Sequence, residues 1–435
     1  MTPRYFDGHS ALLALDPDRT VVVTLDVGPF AVSRLRVGFT RGFVQSQAYI
    51  RRFGSKIPSR PKGGALNFNT QAIGGKTPQG ETFTYAQQYA WLGFSARNMV
   101  FDVLQEVLED DSLTLDVFAY DLNEPDVINA FLEPGAQGRL RIILDDASLH
   151  HDAAAPPPED EFEAMLKAAA PGRTICLRGN FDRFAHDKVF IVRTRADNKA
   201  VRVLTGSTNL SVTGLYVNSN HVLVFDDAGV AGLYAQKFDT VWRDEVKAEP
   251  FRSNDLANTI YRFGAAQHLP TTEISFSPHH DDVALRGLNA MVGRILEEPL
   301  VADGLGSVLF AVMGLEGGKV NPVYDALNAV HKNTKLFSYG VSDDPGGIAY
   351  YPVGAQTGVL VTGKPAKSRL PKPFSQVPSL GFGHQIHHQV CGVRLQWLRP
   401  GSLLRLFEPG LCRRNRERRQ LVWPSATPMW RRPSP

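Results

Sequence analysis

The chain has 435 residues, of which 43% are apolar and 21% charged, with a formal net charge of +3. That length allows two or three full-sized cores in an ordinary soluble globular protein. The charge is too small to argue by itself for a nucleic-acid partner. Cys176, Cys391 and Cys412 lack the C-x-x-C spacing of a zinc site or the density of a disulfide framework.

No apolar run is long enough to span a bilayer, and residues 1–9 lack the layout of a signal peptide, so a cytoplasmic location is expected. Residues 1–90 read as a small β-rich N-terminal region. Thr20 to Val27 and Val32 to Phe39 alternate in the manner of strands, and a Gly/Pro/Lys-rich stretch follows at 53–80. Gly74-Gly-Lys-Thr in that stretch lacks the earlier glycine and preceding apolar strand of a phosphate-binding loop, so a surface loop is expected there.

An α/β pattern begins near residue 94. Met99, Val100, Val103, Leu104, Val107 and Leu108 share one helical face. Leu113 to Tyr120 and Leu140 to Asp145 read as strands, and 126–132 and 161–170 as helices. His150-His151-Asp152 falls in a Pro/Ala/acid loop and is expected to be solvated. A strand follows from His186, then Leu204 to Asn209, a strand at 218–227 and a helix at 230–242.

The same order then repeats. Ser277 or a following Asp is expected to cap a helix that includes 288–296. Ser307 to Met313 is a strand, 320–330 a helix and 335–340 a strand, and a Pro/Gly-rich connection at 344–383 leads to His387. The expected organisation is an N-terminal region (1–90), a first α/β half (91–250) and a second, truncated half (251–392), the two halves packed around a shared cleft.

The chemistry concentrates in His186-Asp-Lys188 and Gly206-Ser-Thr-Asn209. Side chains two apart on a strand point the same way, so His186 and Lys188 share a face. A following turn can bring the Ser207 hydroxyl and the Asn209 amide beside them. Imidazole, ammonium, hydroxyl and amide together suit a phosphate ester.

The H-x-K strand, the G-S-x-N turn and the duplicated α/β unit resemble the phospholipase D superfamily over about residues 90–392. The resemblance implies one phosphodiesterase site made by two H-x-K motifs, without metal or cofactor. One histidine forms a phosphohistidine, and the other protonates the leaving alcohol and then activates water. By position, His186, Lys188, Ser207 and Asn209 form the first half-site and His387 is the second histidine. His186 is taken as nucleophile and His387 as acid. Asn218 and Asn220 are candidates for substrate binding or for orienting His186. The implied substrate is a phospholipid, hydrolysed at its head group. The alternatives are a nucleic acid or nucleotide, cut by a nuclease on the same scaffold, and an inactive phosphate-binding protein.

The sequence departs from the family pattern at three places. Arg193 stands where the family has an Asp, with Asp197 the nearby candidate, and Asn220 stands where many members carry an acid. Gln389 occupies the place of the second lysine, and no second G-S-x-N follows. Residues 393–435 form an arginine-rich tail without strand or helix period. They suit a basic nucleic-acid-binding segment, disorder or a shifted reading frame. Read one base later in suitable synonymous codons, 393–400 can encode F-D-Y-N-G-S-G-P and 402–409 can encode L-Y-C-G-S-S-N-L. The shifted frame therefore contains the missing G-S-x-N.

Overall fold

The computed structural model describes residues 57–300 continuously. It also describes 4–5, 14–15, 28–42, 47–54, 306–314, 322–331, 336–344, 360–362, 386–393, 402–406 and 421–426. The expected strand at 20–27 and most of the connection at 344–383 lie outside the described residues.

The fold is α/β, built on two eight-stranded mixed sheets. The first contains β1 (Phe30–Val32), β2 (Leu35–Phe39), β3 (Leu113–Ala119), β4 (Leu140–Leu144), β5 (Cys176–Arg178), β6 (Lys188–Thr194), β7 (Ala200–Gly206) and β8 (His221–Phe225). Its spatial order is β1-β2-β8-β7-β6-β3-β4-β5. The second contains β9 (Tyr261–Phe263), β10 (Thr271–Ser275), β11 (Ser307–Gly314), β12 (Phe337–Asp344), β13 (Leu360–Thr362), β14 (Val390–Val393), β15 (Ser402–Leu406) and β16 (Leu421–Ala426). Its order is β9-β10-β16-β15-β14-β11-β12-β13. Each strand of the first sheet thus has a counterpart at the same place in the second.

Three expectations about strands need correction. The segment Val32 to Phe39 is a hairpin rather than one strand, and its second arm pairs with β8, with Phe39 opposite His221. Part of the N-terminal region therefore completes the first sheet. The Gly74-Gly-Lys stretch lies in a hairpin, Ile73–Lys76 with Thr82–Thr84, rather than in a loop. The strands β15 and β16 lie in the tail where no strand period is visible. Backbone pairing needs only N–H and C=O groups, so an open sheet edge can recruit a segment with no alternation of its own.

Helices cover both faces of the first sheet. On one side lie α2 (Tyr85–Glu109), α3 (Pro125–Ala136) and α4 (Pro158–Ala169); on the other lies α5 (Ala228–Arg243). A shorter α1 (Gln47–Phe53) packs its Phe53 with α2. Along β6, Phe190 and Val192 enter the α2–α4 core, whereas Val189 and Ile191 enter the α5 core. This is the period-2 alternation of a strand buried on both faces. The α2 helix starts well before residue 94, at a capping box in which Thr84 and Gln87 bond each other's backbone N–H. In the second half α6 (Asp281–Glu297) and α7 (Pro322–His331) pack on Val308, Phe310 and Val312 of β11. The N-cap of α6 is His280, not Ser277, and no side chain caps it. Asp281 and Asp282 occupy its first turn, where the positive end of the helix favours acids.

Candidate active site

His186 immediately precedes β6, and Lys188 opens it. The Lys188 Nζ lies 2.8 Å from His186 Nδ1 and donates to the His186 carbonyl at 2.7 Å. Tyr120, one residue past the end of the neighbouring β3, lays its ring 3.9 Å from the imidazole and 4.7 Å from Nζ. Sequence reasoning took Tyr120 only as a strand end. Its signal was its place at the tip of the strand beside the H-x-K strand. The approach to His186 is tied down by Asp145 at the end of β4, whose carboxylate accepts from the Ala185 and Ala147 N–H groups.

The residue between the motif's histidine and lysine also has a partner. Asp187 is held by Lys237 of α5, with Nζ 2.7 Å from both carboxylate oxygens. Lys237 is fully buried under Phe118, Phe251 and Phe276, and burial lowers its pKa against the opposing pull of Asp187. Farther along β6, Arg193 is not a void left by the family's Asp. It pairs with Asp116 of β3 at 2.6 Å and Asp239 of α5 at 3.0 Å, and Arg141 of β4 joins both acids. The charge at this position is reversed and its partners are acids on neighbouring elements. Asp197 instead sits in the β6–β7 turn, bonded to Thr194 and Lys199 N–H.

β7 runs antiparallel to β6, with Phe190 opposite Leu204, so Gly206 and Ser207 return to the level of Lys188. Gly206 has φ +148°, and a Cβ there would collide with the His221 carbonyl, so only glycine fits. Ser207 Oγ donates to Asn220 Oδ1 at 2.8 Å and accepts from the His221 N–H at 3.2 Å. Asn209 Oδ1 is buried and has no hydrogen-bond partner among the described residues. Asn218 is buried, and its carbonyl accepts from the Thr40 hydroxyl at 2.7 Å.

His387 comes from the second half and docks on the first. A bridge joins Ile386 to Ser219, and His387 N–H donates to the Ser219 carbonyl at 3.0 Å. Its Nδ1 lies 2.8 Å from Asn220 Oδ1 and 3.1 Å from the Ser207 carbonyl. Both neighbours are acceptors, so Nδ1 carries hydrogen. This corrects one expectation: Asn220 orients His387, not His186. Gln389 places its amide 3.5 Å from His387 Nε2, on a backbone with φ +55°.

Burial, aided for His221 by its neighbour His388, lowers the pKa of His221 to about 3 and that of His388 to about 4. Both are structural, neutral imidazoles behind the pair. His150 is not solvated. It is buried against Tyr120 with Nδ1 3.3 Å from Glu159; burial pulls its pKa down, but Glu159, Asp121 and Asp145 raise it overall. His151 is the exposed member of that pair.

Residues 108–242 match the family model described as cardiolipin synthase, PLD-like domain, a span that includes His186, Lys188, Ser207 and Asn209. No curated protein matches the chain. Among solved structures it is similar to a polyphosphate kinase from Porphyromonas gingivalis, 8% identical over 77% of this chain and 45% of that one, with a TM-score of 0.47. The chain thus spans under half the length of that kinase. It is also similar to Nuc, a phospholipase D family member from Salmonella typhimurium, 23% identical over 34% of this chain and 88% of that one, TM-score 0.28. A phosphatidylserine synthase from Haemophilus influenzae is 10% identical over 58% of this chain and 61% of that one, TM-score 0.38. At such TM-scores none of these likenesses assigns an activity.

Proposed function

The chain belongs to the phospholipase D superfamily through residues 108–242, and from that premise we propose that it is a metal-independent phosphodiesterase that hydrolyses phospholipid head groups. The observation that carries this reading is the seating of His387, from the second half, on Ser207 and Asn220 of the first. In the proposed reaction a ring nitrogen of His186 attacks phosphorus. The bond from phosphorus to the leaving alcohol breaks, and His387 Nε2 supplies that alcohol's proton. Water then attacks the phosphohistidine, giving its proton to His387, and the P–N bond breaks to restore His186. Lys188 Nζ and the Asn209 Nδ2–H group donate to the phosphoryl oxygens as charge builds.

The second half-site is incomplete in the chain as written, with Gln389 for lysine and no G-S-x-N. Each absent donor costs about 3 kcal/mol of transition-state stabilisation, so turnover is expected to be weak. A shifted frame after about residue 392 supplies the second motif. Its G-S-S-N would begin at 405, within two residues of where the pairing of β14 with β15 puts the counterpart of Gly206. Resequencing the gene across codons 385–425 tests this part, and an intact frame there removes it.

The activity is tested by incubating the chain, as written and frame-repaired, with phosphatidylcholine and separately with single-stranded DNA. Head-group release that vanishes in His186→Ala and persists in EDTA supports the proposal. Nicking of DNA alone would assign a nuclease. Turnover of neither, even after repair, would leave a phosphate-binding protein.

A further inference from the structure

We propose that Arg41 and Arg52 form a second anion-binding site beside the histidine pair, built to receive a second phosphate group of the substrate. This inference rests on the phosphodiesterase reading for the scissile group, but the site itself stands on its own geometry.

Arg41 follows directly on the segment that braces the active site. Thr40 N–H donates to the Asn220 carbonyl at 2.9 Å, and its hydroxyl donates to the Asn218 carbonyl at 2.7 Å. Gly42 (φ +52°) runs so close that a Cβ would lie 2.7 Å from the Asn218 oxygen. In the sheet order β2-β8-β7-β6 this strand end is three spacings from Lys188, about 14 Å at ordinary strand separation. Both lie at the same edge of the sheet, because Phe39 is opposite His221 where β8 begins.

The guanidinium of Arg41 is clamped between two rings, 4.4 Å from Trp91 and 4.5 Å from Phe94. That of Arg52 lies 5.5 Å from the Phe53 ring, which meets Trp91 edge-on at 5.7 Å. One aromatic shelf therefore carries both cations. Both are exposed, and neither has a carboxylate partner among the described residues. Burial, and after it the charge of Arg52, lower the Arg41 pKa.

The clamp is also maintained against the backbone's own preference. Phe94 has φ 45° and ψ −135° inside α2, a conformation a phenylalanine avoids. The break frees the Leu92 carbonyl, which accepts from Arg41 N–H at 2.7 Å and Gly42 N–H at 3.1 Å. A planar guanidinium held by rings loses little entropy on binding and matches phosphate oxygens with two parallel donors.

The test compares thymidine 5′-(p-nitrophenyl phosphate) with the same compound carrying a 3′-phosphate, using the full chain. Arg41→Ala and Arg52→Ala are each expected to raise KM about tenfold for the two-phosphate compound. Neither should change kcat, or KM for the one-phosphate compound. Equal changes on both compounds, or none on either, would overturn the inference. If the wild type turns over neither compound, binding decides the inference alone, and the phosphodiesterase reading stands or falls on phosphatidylcholine. Inorganic pyrophosphate should then quench fluorescence in the wild type, and Trp91→Phe should lose the quench while calorimetry still detects binding. Pyrophosphate affinity that is undetectable, or undiminished in the Arg41→Ala/Arg52→Ala double variant, refutes the site. A signal from free phosphate but no discrimination between the two esters would mean a free-ion site and would also refute the proposal.

Discussion

Replacing Lys237 by Met tests how the H-x-K segment is held. The Lys237 side chain is 1% exposed and that of Asp187 8%, with both carboxylate oxygens 2.7 Å from Nζ. Methionine fills nearly the same volume among Phe118, Phe251 and Phe276 but leaves Asp187 buried without a counter-charge. Breaking a buried pair in this way costs about 3–5 kcal/mol. For a domain of this size each kcal/mol moves Tm by roughly 2–4 °C, so a fall of about 10 °C is expected at pH 7. Because Asp187 lies between His186 and Lys188, kcat should fall as well. Lys237→Met/Asp187→Asn removes both charges and should recover most of the lost Tm, since an apolar or neutral replacement of a buried pair is close to neutral. The assay is thermal unfolding followed by circular dichroism for the wild type, Lys237→Met and the double variant. A single variant that melts within about 2 °C of wild type, or a double variant less stable than the single, would refute the argument.

Two pH effects of opposite sign follow from buried groups. His221 and His388 stay neutral in the fold down to about pH 3 and 4, whereas unfolded histidine takes up a proton below about 6.5. Their stability contribution is complete above about 6.5 and is lost as pH falls, by about 2 kcal/mol each at pH 5. Urea titrations at pH 7 and 5 check this, and His388→Gln should roughly halve the difference. Glu124 behaves oppositely. Burial raises its pKa to about 7, although Val127 N–H and the Tyr216 hydroxyl bond its carboxyl. Its contribution is complete below the unfolded value and is lost as pH rises through about 7, so Glu124→Gln should raise Tm at pH 8 and change little at pH 5. A variant with the same shift at both pH values would contradict that.

Much of the first half was legible because its signals are local. The β3, β4 and β6 strands show as apolar runs, and the helical face from Met99 to Leu108 marks α2. The start of α2 was missed because its first turns carry Tyr85, Gln88 and Tyr89, polar or aromatic residues buried by contacts from elsewhere. His150 was misplaced for the same reason: its loop is polar in sequence but lies under Tyr120. A repeated order of elements was legible in the sequence, and the strand orders of the two sheets match position by position.

Residue type and spacing alone determined that His186, Lys188, Ser207 and Asn209 could share a site, since strand alternation and a glycine turn act over a few residues. Only the tertiary structure decided which partners they take. Asn220 meets His387 rather than His186, Arg193 finds its acids on β3 and α5, and Asp187 is claimed by Lys237 fifty positions away. Arg41 is brought to the same sheet edge by pairing of β2 with β8. Each of these contacts joins segments far apart in the chain, and their energies depend on burial and on the other partner's position. Neither quantity exists until the sheets and helices have packed.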